Sequence, residues 1–276
     1  MFRRVWPWLL VMLAPGALAE SLRIGFGTNK PPYVFEGLSR GLEYEIVVAA
    51  VRASGDEVAV RYAPMERLHL AIGRGELDGI ATTNAYSGVQ VFYSQPYIQC
   101  QNVAMALTSR GYRITRMPDL GQYSISSFQR ARYLLGPEFQ AMAEANPRYR
   151  EEAQQINRNR LLYSGRVDVV IGDPRILRYF NRKVADQVDV SQPVTQYPLF
   201  PPTAYSVGFR LREHRDRFDR GLAAIRASEY RQVLHEGKPL FALQGNNLAG
   251  EPVHLFPGEV PETWPEASFW QQQADS

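Results

Sequence analysis

Gly165-Arg166-Val167-Asp168-Val169-Val170-Ile171-Gly172-Asp173 is the stretch on which the fold turns. A glycine stops a helix, two residues link, an aspartate enters, and a run of β-branched residues follows. A strand apolar on both faces belongs inside a sheet that helices cover from both sides. The same order of residues stands 90 positions earlier, in Gly75-Glu76-Leu77-Asp78-Gly79-Ile80. Two such helix-to-strand junctions point to two units built alike.

Working outward, Leu22 to Phe26 alternates apolar and polar residues and predicts a strand, which Pro31-Pro32 then separates from a loop holding Tyr33 and Phe35. A helical stripe runs from Leu42 to Ala53 and stops at Gly55. Val58, Val60 and Tyr62 alternate as a strand, Met65 to Arg74 reads as a helix capped by Gly75, and Gly79 to Thr82 as a strand. The second unit repeats this with strands at Tyr123 to Ser126 and Val167 to Ile171. Its helices are expected at Pro137 to Ala145, Gln154 to Tyr163 and Arg175 to Asn181. Ala204 to Arg210 returns as a strand, followed by helices at His214 to Ala227 and Glu229 to Glu236. Alternating strand and helix predicts α/β layers with a largely parallel sheet. From Gln244 to Ser276 periodicity is lost, which predicts a loosely attached tail.

The chain has 276 residues, 45% hydrophobic and 21% charged, a composition that excludes a disordered or collagenous protein and allows two folded units. Cys100 is the single cysteine, so no internal disulfide is possible, and it reads as a small buried apolar group. The four histidines show no metal-ligand spacing, and no cofactor motif is present. Met1 to Ala19 has the form of a secretory leader: Arg3 and Arg4, an apolar run from Val5 to Leu13, and a small-residue cleavage site at Ala17-Leu18-Ala19. The run is too short to cross a bilayer. Removing the leader takes the formal net charge from +3 to +1, which leaves no electrostatic basis for nucleic-acid binding. A protein outside the cytoplasm, in the periplasm, is expected.

Several segments together resemble the family 3 extracellular solute-binding proteins of ABC transporters. They are Pro32-Tyr33-Val34-Phe35 with Gly41-Leu42-Glu43-Tyr44-Glu45, Pro64-Met65-Glu66-Arg67-Leu68, Tyr93-Ser94-Gln95-Pro96-Tyr97, the Gly165 to Asp173 junction, and Tyr205 to Phe209. The resemblance spans Leu22 to Gly237 and omits the tail. It implies an α/β fold of two lobes, the type II-like periplasmic-binding-protein architecture, with a ligand cleft between lobes and two crossing hinge strands near Val103 to Leu107 and Pro193 to Ala204. The implied division is residues 1–19 as leader, 20–103 with 204–243 as lobe 1, 104–203 as lobe 2, and 244–276 as tail.

Under that resemblance Asp173 matches an aspartate that holds a ligand ammonium group, and as Asp before Pro174 it is equally a helix N-cap. The arginine that usually clamps a ligand carboxylate is missing, with Ser87 standing roughly in its place. Arg130 is a substitute cation or else a solvated helix residue. Tyr33, Phe35, Tyr86 and Phe128 sit on loops directed at the cleft, where they would form aromatic walls or plug the lobe cores. Thr82, Thr83 and Asn84 offer hydrogen bonds there or serve as turn residues. Asp78 and Asp168 read as structural, and Glu36, Glu43 and Glu45 as a solvated loop and helix face. No catalytic arrangement is found. The expected function is non-catalytic, hinge-closing binding of a small polar, amino-acid-like solute by a monomer that delivers it to an ABC permease. A sensor subunit of a membrane receptor is the alternative, and an enzyme similar to cyclohexadienyl dehydratase a third reading.

Overall fold

The computed structural model describes residues 20–236, with side chains through residue 226; the expected leader and tail lie outside the described residues. In chain order the elements begin with β1 (Ser21–Gly27), α1 (Leu42–Ala53), β2 (Glu57–Ala63), α2 (Met65–Gly73) and β3 (Gly79–Thr83). Three strands follow: β4 (Phe92–Tyr93), β5 (Ile98–Cys100) and β6 (Val103–Leu107). Next come β7 (Ile125–Phe128), α3 (Ala131–Leu134), α4 (Pro137–Ala145), β8 (Tyr149–Glu152), α5 (Gln155–Tyr163), β9 (Val169–Gly172) and α6 (Pro174–Val184). The chain closes with β10 (Val194–Tyr197), β11 (Thr203–Phe209) and α7 (Arg212–Glu236).

These strands make two sheets with one topology. The first runs β2-β1-β3-β11-β4, with β5 also on β11; the second, read from its far edge, runs β8-β7-β9-β6-β10. In each, three parallel strands stand in the order second-first-third, and an antiparallel strand closes against the third. The chain passes between the sheets at residues 101–102 and 198–202. These links are shorter than the expected crossings, because Val103 to Leu107 and Val194 to Tyr197 pair with each other as β6 and β10.

The repeated junctions are the reason the halves match. Gly75 and Gly165 both take positive φ, 74° and 67°, which ends the preceding helix without strain. The aspartates that follow then do the same work. Asp78 Oδ2 accepts the Arg23 amide at 3.0 Å in β1, and Asp168 Oδ2 accepts the Ser124 amide at 2.9 Å beside β7. Arg23's side-chain hydrogen bond, ahead of its charge, holds Asp78 well below the usual carboxylate range. Cys100 is buried within the first apolar cluster, and burial pushes its thiol up.

Differences from the sequence reading have local causes. Strand β7 starts two residues later than expected because Tyr123 ends a 3-10 turn. The two expected C-terminal helices are one helix, since neither proline nor glycine interrupts residues 222–236. That helix packs on α1 so closely that a Cβ on Gly221 would lie 1.9 Å from the Ala50 carbonyl oxygen. Alanine in place of glycine gains roughly 1 kcal/mol of helix propensity, but a backbone clash cannot be relieved by a rotamer change. Gly221→Ala is therefore expected to lose a net ~2 kcal/mol, measured as a lower thermal midpoint; an unchanged midpoint would contradict this packing.

Candidate functional site

The carboxyl ends of β1, β3 and β7 meet the first turn of α5 between the two sheets. Open α/β sheets hold ligands at such ends. A cavity there offers about 50 Å³ to the centre of a water-sized molecule, several times the ~10–15 Å³ that one water needs. Gly27, Thr28, Lys30 and Thr82 line it from the first unit, and Phe128 and Gln155 from the second. Beside the cavity the units are packed together: Leu134, Ile176 and Phe180 of the second unit belong to one apolar cluster with Tyr33, Val34 and Cys100 of the first.

The floor on the first-unit side is an internal ion pair. Lys30 Nζ donates to both Glu43 oxygens at 2.8 Å, with side-chain exposures of 9% and 1%. Thr82 Oγ1 accepts a further proton from Lys30 and donates to Glu43 Oε2. Tyr97 donates to the same carboxylate at 3.0 Å and accepts the Thr82 amide at 2.9 Å. Burial, then the Glu43 charge, pushes the Tyr97 hydroxyl well up, so it remains a donor. Glu43 is thus not part of a solvated face. Its position was legible in the spacing 43, 46, 47 and 50, which places it on the buried stripe of α1 with Ile46, Val47 and Ala50.

Hydrogen bonds tie the units together around the cavity, among them Thr28 Oγ1 to the Ala153 carbonyl at 3.4 Å. Tyr33 donates to Asp173 Oδ2 at 2.6 Å and accepts from Arg175 Nη1 at 2.7 Å. Arg130 reaches Glu66 Oε2 at 2.9 Å and the Ser87 carbonyl at 2.5 Å, while the Glu66 amide donates to Gln129 Oε1 at 3.0 Å. Asn84 Nδ2 donates to the Leu134 carbonyl at 3.0 Å.

The residues singled out in the sequence fall into distinct places. Thr82 and Phe128 line the cavity. Tyr33, Asn84, Arg130 and Asp173 bridge the units. Asp173 also caps α6 through the Arg175 amide at 2.8 Å, as the N-cap reading expects, and its other carboxylate oxygen is taken by Tyr33. Burial raises its carboxyl pKa against the lowering influence of Arg175 and Tyr33. Phe35 is core, edge-on to Tyr179 at 5.9 Å and under the Arg40 guanidinium at 4.2 Å. Thr83 is fully buried in β3 with its hydroxyl unpartnered. Tyr86 is 61% exposed, outside the cavity. Ser87 is buried against the Tyr93 hydroxyl at 2.7 Å.

Lys30, Glu43, Gln155 and Arg158 were missed. Arg158 is 4% exposed, donates to the Ile171 carbonyl, and leaves its Nε without a partner. Gly172 makes room for it: any Cβ there would collide with the guanidinium. Burial lowers its pKa to about 10, which keeps it charged at neutral pH. The spacing 155, 158, 159, 162 puts it on one face of α5 with Gln155, Asn159 and Leu162.

Among the described residues no cluster of potential metal ligands occurs and no helix is long and apolar enough to cross a membrane. The architecture is similar to an ancestral arginine-binding protein bound to glutamine, at TM-score 0.61 and 18% identity over 80% of this chain and 98% of that one. It is similar also to a histidine kinase sensor domain with similarity to periplasmic binding proteins, at TM-score 0.64, 17% identity, and coverage of 79% and 96%. A third is the arginine-, lysine-, histidine-binding protein ArtJ of Geobacillus stearothermophilus, at TM-score 0.62, 15% identity, and coverage of 79% and 96%.

The C-terminal part has a different likeness. Residues 214–276 match the YcjX-like family, DUF463. A Ras-like GTPase YcjX of Shewanella oneidensis is 38% identical over 52 residues, which are 19% of this chain and 11% of that protein. The chain therefore spans about a tenth of the length of the curated relative it matches. Its one Gly-Lys pair, Gly237-Lys238, is followed by Pro239 and so does not match the G-x-x-x-x-G-K-[ST] pattern. The two likenesses overlap in α7 and divide the chain. The α/β body has the two-lobe periplasmic-binding-protein fold, and residues 214–276 are similar to a different family.

Proposed function

We propose that this chain is an extracytoplasmic solute-binding protein that holds a small polar guest between its two units and presents it to a membrane importer. The observation that carries the reading is a small cavity with both polar and apolar lining residues at the convergent strand ends of two topologically matched sheets, bridged by side chains from both. Guest contacts on both walls would add to the Tyr33, Asn84 and Arg130 bridges and favour the closed arrangement. The role is one of binding without turnover, by a monomer exported to the periplasm.

A thermal-shift screen of the full chain tests this. A true guest at 100 times its dissociation constant adds about 2.7 kcal/mol, which corresponds to roughly 5–10 °C for a protein of this size. No shift with any amino acid, organic acid, amine or sugar would sink the proposal. The likeness to a histidine kinase sensor domain supports a second reading, in which the same closure is reported to a receptor. Slower uptake of the bound guest on deletion of the protein favours delivery; unchanged uptake with altered signalling favours sensing.

A further inference from the structure

We propose that the cavity takes a small uncharged polyol, a sugar or sugar alcohol of glycerol size, with the Gln155 side chain receiving one of its hydroxyls. The proposal rests on the solute-binding reading and adds the chemical class of the guest.

The charges around the cavity are matched before a guest arrives. Lys30 is the one charged residue of the lining. Its ammonium donates to both Glu43 oxygens and to Thr82 Oγ1, which uses its three protons. Glu43 is held in turn by Lys30, Thr82 and Tyr97. Asp173 accepts from Tyr33 and the Arg175 amide, and Arg130 is engaged by Glu66 and the Ser87 carbonyl. Arg158 stands beyond the Phe128 ring rather than in the lining, beside the charges of Asp173 and Glu152. A carboxylate or an ammonium entering here would give up its water without meeting a free counter-ion, which is costly in a closed site. The first turn of α5 adds only a fractional charge. An uncharged guest avoids that cost.

What the lining leaves open is neutral. Gln155 Oε1 has no hydrogen-bond partner, and a donor on the guest would satisfy it. Thr28 Oγ1 and the Ala153 carbonyl meet from opposite units at 3.4 Å, long for a hydroxyl hydrogen bond, so a guest hydroxyl can replace that contact with two shorter ones. A hydroxyl both donates and accepts, and so serves the Gln155 carboxamide turned either way. The space has room for a few waters, whose places the hydroxyls of one triol can take. Met65, Phe128 and Leu134 supply apolar surface for its carbon skeleton. Backbone strain marks the same wall: Thr82 is β-branched and stands at φ 58°, an outlier of the kind that gathers at binding sites.

The test is calorimetric titration of the full chain, at fixed ionic strength, with four probes of similar shape: glycerol, sodium glycerate, 2-amino-1,3-propanediol and serine. At neutral pH these are uncharged, anionic, cationic and zwitterionic. Glycerol is expected to bind at least about tenfold more tightly than each of the others. Gln155→Leu should weaken glycerol binding roughly fivefold or more, the loss of one hydrogen bond. The empty variant should melt no lower, because it loses an oxygen that had no partner. Gln155→Glu should turn the preference toward the cationic aminodiol, since its carboxylate would be the free counter-ion the parent lacks. Preference of the parent for a charged probe overturns the inference and leaves solute binding standing. Glycerol binding undiminished by Gln155→Leu, or a preference unmoved by Gln155→Glu, also overturns it. Silence from all four probes overturns it too, and silence from the wider screen above as well removes the solute-binding reading with it.

Discussion

Lys30→Met is expected to destabilise the protein by about 3–5 kcal/mol, the range seen when one partner of a buried ion pair is removed. The reason lies in what stays behind. Glu43, 1% exposed, would keep the hydroxyls of Thr82 and Tyr97 but lose the only cation that contacts it among the described residues. Hydroxyl donors satisfy lone pairs without balancing charge, so desolvation of the carboxylate would go uncompensated. Equilibrium urea unfolding should show the midpoint falling by on the order of 2 M, for a typical slope of 1–3 kcal/mol per molar. Lys30→Met combined with Glu43→Leu should recover much of the loss, because two well-fitting apolar groups replace a pair whose attraction is largely spent on its own desolvation. A single-variant loss below about 1 kcal/mol would show that water reaches the pair, contrary to the geometry.

How much of this was readable in advance depended on which residues report locally. The helices at 42–53 and 137–145 and the strand at 22–26 were legible because stripe, cap and stop signals lie within each segment. The Gly75 and Gly165 junctions were legible because a glycine with positive φ followed by an aspartate has one structural use, and that use recurs. The strand at Tyr149–Glu152 was not, because it is short and mostly charged, and the partners of Glu151 and Glu152, Arg132 and Asn157, are brought in by the fold. The site was half legible. Thr82, Phe128 and Asp173 stand at strand ends, which sequence can locate. Arg130 could not be assigned, since its partners Glu66 and Ser87 are 64 and 43 residues away. Glu43 and Arg158 were passed over because charged residues are normally exposed. Their positions on buried helical stripes carried the contrary signal.

The same stripe logic bears on His69, which gives the second large expected effect. His69 lies in α2 between Leu68 and Ile72 of the core, 6% exposed, with neither ring nitrogen hydrogen-bonded. Burial, with a further contribution from the Arg130 charge, lowers its pKa to about 3. In the unfolded chain a histidine titrates near 6.5. Between those two values the unfolded chain binds the extra proton and the folded protein does not, so stability falls as pH falls. It is fully present above about 6.5 and declines by about 1.4 kcal/mol for each unit below it, until the folded-state value is reached. His69→Leu is close in volume and removes both unpartnered nitrogens. It should be more stable than the parent by ~1 kcal/mol at pH 7, and by several kcal/mol near pH 4. Protonation of the native ring would also push on Arg130, whose bonds to Glu66 and the Ser87 carbonyl bridge the two units. Carboxylates such as Asp78 titrate in both proteins and cancel in the difference. The measurement is the urea midpoint of parent and variant from pH 7 to pH 4: a gap that widens on acidification is expected, and two parallel profiles would show that the ring is not held neutral by its surroundings.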